Sequence, residues 1–190
     1  MMKIAVFGGT FDPPHLGHLI IAAETVRSCE LDEVWFMPSP RPPHKSAAAV
    51  TDAAHRIEMV KRAVEGNKQF KLSLFEFQRD GLSYTYETMK ALTARYPEHE
   101  WYFLIGADMV EDLPNWHNIN ELTDFVTFIA AGRPGFSLQS PFGHAIRFVE
   151  VPQIAISSSL LRKKFANQGN TKYLLPDNVR DYIMKEGLYG

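Results

Sequence analysis

The sequence predicts an α/β domain built on a doubly wound, mostly parallel sheet, with a small C-terminal helical part. Three observations carry that expectation. Short apolar or aromatic runs alternate with longer stretches of helical period, the pattern of right-handed β-α-β units. The first run leads through a glycine-rich loop into a helix-like stretch. The unusual segments GGTFDPPHLGH, PSPRPPHK, GADM, AGRPG and AISSSLLR each follow a predicted strand, where the ligand crevice of such a sheet lies.

The elements follow in order. A strand is predicted over 3–7 and a helix over 16–28, where apolar residues recur at helical spacing. EVWFM makes the second strand and the proline-rich PSPRPPHK ends it. Thr51 or Asp52 caps the next helix and Gly66 stops it. A third strand is expected over 70–77, a helix over 83–96 stopped at Pro97, and a fourth strand in WYFLI. A short helical stretch through MVEDL reaches the loop PNWHN. FVTFIA and residues 146–151 supply two more strands, LLRKKFANQG a helix, and a last helix starts near Pro176–Asp177. No repeat or linker interrupts the chain, so residues 1–190 are expected to form one domain.

The composition, 45% hydrophobic and 22% charged, is that of an ordinary globular chain. A formal net charge of −2 argues against a nonspecific nucleic-acid binder. No apolar run reaches the roughly 18 residues a membrane span needs, and MMKIAVFGG enters a strand at once, so a cytoplasmic protein is expected. The single cysteine, Cys29, suits a reducing compartment and reads as a structural thiol, with no basic neighbour in SCELDE.

Gly8 and Gly9 permit close backbone approach to a phosphate, and the helix behind them presents its positive end. No GxGxxG and no P-loop lysine is present. His15 and His18 would instead put two imidazoles at the helix mouth, with Gly17 leaving room between them. A zinc pair is the alternative, but no third ligand lies near. In AISSSLLRKK, Ser157, Ser158 and Ser159 are ordinary caps taken alone. With Arg162 one turn inside the helix they also suit a polyphosphate.

Together the two motifs resemble the HxGH nucleotidylyltransferase superfamily. EVWFMPSPRPPHK, SYTYET, LIGADM, LPNW, RPGF and YLLPD extend the likeness, through nearly the whole chain, to the bacterial nicotinate-nucleotide adenylyltransferases. The resemblance implies a Rossmann-like fold and adenylyl transfer from ATP to nicotinate mononucleotide, giving deamido-NAD and pyrophosphate in NAD biosynthesis. The attacking phosphate is already largely ionised at neutral pH, so positioning and charge stabilisation matter more than a base.

By the same resemblance His15, His18 and Arg162 are the catalytic residues, His18 meeting the α-phosphoryl group. Gly8, Gly9, Thr10 and Phe11 line the loop around the reacting phosphates. Ile156, Ser157 and Ser158 hold the ATP side. Gly106 and three further candidates stand with them: Lys45, otherwise a solvated lysine; Asp108, otherwise a cap of the next helix; and Arg133, otherwise half of a surface ion pair. Mg²⁺ comes with ATP, held by substrate and water rather than by a protein cage. Trp116 stacks on the nicotinate ring, while Ser83, Tyr84, Thr85 and His117 meet its carboxylate end. The partners implied are these two small-molecule substrates, with no nucleic acid and no membrane. A homodimer is compatible with the family, although no interface stripe marks one.

Two rival functions share parts of this pattern. Phosphopantetheine adenylyltransferase has both phosphate motifs, but SYTYET and LPNW favour a pyridine substrate. A nonenzymatic adenine-nucleotide sensor would keep the glycines without needing both histidines. His55 and Arg56 read as structural, His44 as loop filler, His99 and His144 as surface residues, and the aromatics of WYFLI, LFEFQ and FVTFIA as sheet core.

Overall fold

The computed structural model of the protein describes residues 1–40, 50–79, 84–132 and 140–190. Near-continuous apolar runs such as WYFLI dictate a sheet buried on both faces, and six strands form it in the order β3-β2-β1-β4-β5-β6. They are β1 (Lys3–Gly9), β2 (Glu33–Pro38), β3 (Phe70–Leu72), β4 (Glu100–Gly106), β5 (Thr127–Gly132) and β6 (Ile146–Glu150). Every neighbouring pair is parallel, so the expected mostly parallel sheet is parallel throughout these pairs. The winding reverses between β1 and β4, which places the loop after β1 at the switch point of the fold.

The period of two in each strand sends its side chains to two different cores. Ala5, Phe7, Val34, Phe36, Leu104 and Ile129 pack on one face with Val26 and Cys29 of α1 (Leu16–Cys29) and Val60 of α2 (Ala53–Val64). Ile4, Val6, Phe103, Ile105 and Phe128 pack on the other with Met89 and Leu92 of α3 (Thr85–Arg95), and with Leu122 of the short α4 (Ile119–Leu122). Burying one such side chain stabilises by roughly 1.5–3 kcal/mol. A third cluster joins α2 to α5 (Ser158–Ala166) and α6 (Asp177–Lys185) through Met59, Leu161, Val179 and Ile183. The C-terminal helical part therefore lies on α2.

Local signals set most boundaries. Asp52, one of two expected caps, accepts a hydrogen bond from the Ala54 amide at 2.8 Å. Three strands differ from expectation, β1 by running on to Gly9. The third strand ends at Leu72, and the chain turns into a 3₁₀ helix over Phe75–Gln78 with none of its residues buried. An edge strand has only one neighbour to hold it, so Phe75 and Phe77 are not sheet core. The fifth begins at Thr127 rather than Phe125, because the Phe125 and Val126 amides bond to the Leu122 carbonyl at the end of α4.

Gly132 ends β5 where a Cβ would stand 2.6 Å from that of Ala107 and 2.9 Å from the Phe148 ring. Gly132→Ala is therefore expected to cost about 1–3 kcal/mol by overpacking, read as a lower urea midpoint with an unchanged slope.

Candidate active site

The segments after β1, β4 and β6 meet at the carboxyl edge of the sheet. Gly8 and Gly9 prove to be the last residues of β1, in register with Met37 and Pro38. A side chain on either would press on a ring, Phe103 at 3.2 Å or Phe11 at 3.0 Å. Phe11, expected to line the loop, has its side chain turned inward at 2% exposure. Its ring packs on Phe7, Phe36 and His18, with the backbone held in the left-handed region (φ 50°).

His15 is the N-cap of α1 and His18 follows one turn inside it. Their rings do not straddle a gap, as expected, but stack, with centroids 3.7 Å apart and an interplanar angle of 26°. Gly17 makes room for the His15 ring instead, since a Cβ there would stand 3.0 Å from His15 Nδ1. The His15 backbone N–H donates to His18 Nδ1 at 3.1 Å. That bond requires a lone pair on Nδ1, so the neutral His18 ring carries its proton on Nε2. Burial lowers the His15 pKa to about 4. Burial, and then repulsion from His15, hold that of His18 well below the usual imidazole value. Both rings are neutral near pH 7 and act as hydrogen-bonding dipoles rather than charges.

The second mouth is the start of α5. Ser157 caps it, accepting from the Leu160 amide at 3.1 Å. Ser158 donates its hydroxyl to the Pro13 carbonyl at 2.8 Å, and Arg162 donates to the Asp12 carbonyl at 2.8 Å and to Ser159 at 3.3 Å. These bonds bring Arg162 and the α5 mouth against the loop that carries His15. Ile156 is half-buried at the same edge. Thr10 gives its carbonyl to Arg56 at 3.0 Å. The mouth of α1 is partly spent, because the Leu16 amide donates to Leu174 at 3.0 Å.

After β4, Gly106 and Asp108 sit together: Asp108 is exposed, and its carboxylate lies where a Gly106 side chain would be. Tyr84, exposed at the start of α3, packs its ring 4.7 Å from that of His117, and Thr85 opens the helix. Trp116 is half-buried and rests edge-on against Phe103 and Phe128, so it is part core and part surface. Lys45, Ser83, Arg133 and His44 lie outside the described residues.

Arg56 is structural as expected, and it and Asp12, which no motif singles out, support the site. Arg56, 1% exposed, donates to the carbonyls of Thr10, Ser39 and Thr51 at 2.9–3.0 Å. A charged residue on the apolar face of a predicted helix was the available signal. His55 is structural as expected, bonded to Tyr182 at 2.8 Å. His99 is half-buried against Trp101, not a surface residue. Cys29 is fully buried, which raises its pKa, while Arg147 and Lys3 oppose the shift; both cations are distant in sequence. A separate cleft of about 350 Å³ between β2, β3 and the end of α3 is lined by Trp35, Lys71, Phe75, Arg95 and Tyr96. Its polar groups pair among themselves, Trp35 and Lys71 with Glu33 and Arg95 with Gln78.

Among the described residues no group of three or more His, Cys, Asp or Glu side chains stands ready to hold a metal ion. No helix among them is long and apolar enough to cross a membrane.

A parallel sheet with two helix mouths meeting at its switch point is the architecture of a Rossmann-like nucleotide-binding domain. The cytidylyltransferase-like family pattern matches residues 6–164. Nicotinate-nucleotide adenylyltransferase of Bacillus subtilis (strain 168) is 47% identical over 189 residues, covering 100% of this chain and 99% of that protein. The "Probable nicotinate-nucleotide adenylyltransferase" of Geobacillus thermodenitrificans (strain NG80-2) is 51% identical over 190 residues, covering 100% and 87%. The solved structure of Plasmodium falciparum nicotinic acid mononucleotide adenylyltransferase complexed with NaAD superposes with a TM-score of 0.83 at 22% identity, covering 100% and 98%. That last likeness is one of fold. The chain belongs to the cytidylyltransferase-like family and, within it, to the nicotinate-nucleotide adenylyltransferases.

The lowered histidine pKa values have a consequence for stability. Below pH 6.5 the unfolded chain binds protons on both rings that the folded chain does not, down to about pH 4 for His15, with His18 held low in the same direction. Stability is then fully present above pH 6.5 and falls as the pH drops, by at most about 1.4 kcal/mol per unit for each ring. Urea titrations between pH 7.5 and 4.5 should show this loss, and His15→Gln with His18→Gln should flatten it.

Proposed function

We propose that the protein transfers the adenylyl group of ATP to nicotinate mononucleotide in the cytoplasm, in the synthesis of NAD. A phosphate oxygen of the mononucleotide attacks the α-phosphorus in line, the bond to the β-phosphate oxygen breaks, and deamido-NAD and pyrophosphate result. The observation that carries the reading is the neutral His15–His18 stack, with His18 fixed in the Nε2–H form, beside Arg162 and the α5 mouth. Donors held in place before charge develops stabilise a transition state without reorganising.

In this reading His18 donates from Nε2 to the α-phosphoryl group and His15 supports it. Arg162, Ser157, Ser158 and Ile156 take the β- and γ-phosphate side. Gly8, Gly9 and Thr10 let the reacting phosphates lie close to backbone, and Phe11 supports the His18 ring from below. Lys45 and Arg133 are assigned to ATP on sequence grounds alone. Mg²⁺ accompanies ATP and supplies neutralisation of phosphate charge. Few protein ligands suit an ion that keeps its water and phosphate oxygens, and Asp108, exposed beyond β4, is the side chain that would meet its hydration shell. Trp116 takes the pyridine ring, while Ser83, Tyr84, Thr85 and His117 take the acceptor's carboxylate, which a helix start favours over an amide.

The test is pyrophosphate release from ATP with Mg²⁺ and each of three acceptors. Nicotinate mononucleotide should be preferred over nicotinamide mononucleotide and phosphopantetheine. Release with phosphopantetheine alone would discard the acceptor pocket, and binding of ATP without release would favour the sensor. His18→Ala should lower kcat by tenfold to a thousandfold, and an unchanged kcat would remove His18 from the mechanism.

A further inference from the structure

Asp12 is a buried carboxylate that the proposed chemistry does not use. It stands in the loop between β1 and α1 at 2% exposure, three residues before His15. Its Oδ1 accepts a 2.6 Å hydrogen bond from the Tyr189 hydroxyl, 177 residues away, and its Oδ2 accepts from the Thr51 amide at 3.3 Å. Arg162 Nη1 lies 4.0 Å from Oδ2 while donating to the Asp12 carbonyl at 2.8 Å.

We infer that Asp12 and Tyr189 are a positioning pair that aims the Arg162 guanidinium at the nucleotide's phosphates, an inference that rests on the phosphate role proposed for Arg162. An arginine that is 28% exposed samples many rotamers unless something holds it. The Asp12 carbonyl supplies the hold, but a freely rotating carboxylate beside it, at 4.0 Å, could also pair fully with the guanidinium and neutralise it. The Tyr189 hydroxyl prevents that by taking one oxygen with a neutral donor. The cation is then oriented without being cancelled. Tyr189 is itself well held: its backbone is left-handed (φ 68°), and its ring packs 6.0 Å from Phe165, on the helix that carries Arg162. A bulky residue keeps such a conformation only where its surroundings over-determine it.

Burial, and then the bond to Asp12, push the Tyr189 phenol far above its ordinary range. It therefore remains a donor at every working pH.

The test is calorimetric binding of ATP and of AMP to the wild type, Tyr189→Phe, Arg162→Ala and the double variant, with thermal midpoints measured alongside. Tyr189→Phe keeps the ring and removes only the hydroxyl. It should weaken ATP about tenfold, leave AMP unchanged and keep the midpoint within about 2 °C; in the Arg162→Ala background it should change ATP binding no further. Unchanged ATP affinity, equal losses for ATP and AMP, or additivity with Arg162→Ala would each overturn the pair. Because binding is read without turnover, a wild type that binds ATP but makes no pyrophosphate would sink the proposed reaction and still judge Tyr189.

Discussion

The buried guanidinium of Arg56 is the interaction on which the site depends. The loop after β1 has two prolines and no regular hydrogen bonding, so its carbonyls need a donor from elsewhere. Arg56 donates to Thr10 in that loop, to Ser39 just beyond β2 and to Thr51 just before α2. Taking the cation out of water costs several kcal/mol. Three hydrogen bonds from a charged donor return roughly 1.5–3 kcal/mol each, and the nearby Asp12 and Asp52 carboxylates act in the same direction. The balance favours a charged, fully engaged side chain. Three chain segments thereby share one anchor, and the histidine stack is built on top of it.

From that anchor the site gains its character. The stacked imidazoles stay neutral because both are buried, His18 against the rings of Phe7 and Phe11 and His15 against His18. Positive charge enters from the other helix mouth, through Arg162, whose bonds to Asp12 and Ser159 hold it in place. Separating neutral donors from a positioned charge suits phosphoryl chemistry, where little covalent work is asked of the protein. The protein's net charge of −2 conceals this local arrangement entirely.

The proposed acceptor side is organised by a different core. Trp116 borrows its orientation from Phe103 of β4 and Phe128 of β5, and the His117 ring lies tilted against Tyr84 at the start of α3. The two halves of the site thus rest on opposite faces of the one sheet: His18 sits over the core of α1 and α2, Trp116 over that of α3 and α4. A change in packing on one face can alter one half of the site without the other.

Much of this was readable in the residues. Strand and helix order, the helix caps and the convergence of loops after β1, β4 and β6 follow from period, from proline and glycine, and from the handedness of β-α-β units, all short-range properties. The trimmed third strand and the late start of the fifth were not readable, because an edge position and the end of a neighbouring helix set them. The motif also named His15, His18 and Arg162, yet suggested a gap where the rings stack. Phe11 reads as a loop residue and is core; Arg56 reads as structural and anchors three segments, while Asp12 carries no local signal. Their partners lie 46, 150 and 177 residues away. A chain announces through local pattern which elements it will form, whereas the partner of a buried charge is chosen by desolvation, which acts only once distant segments have closed water out.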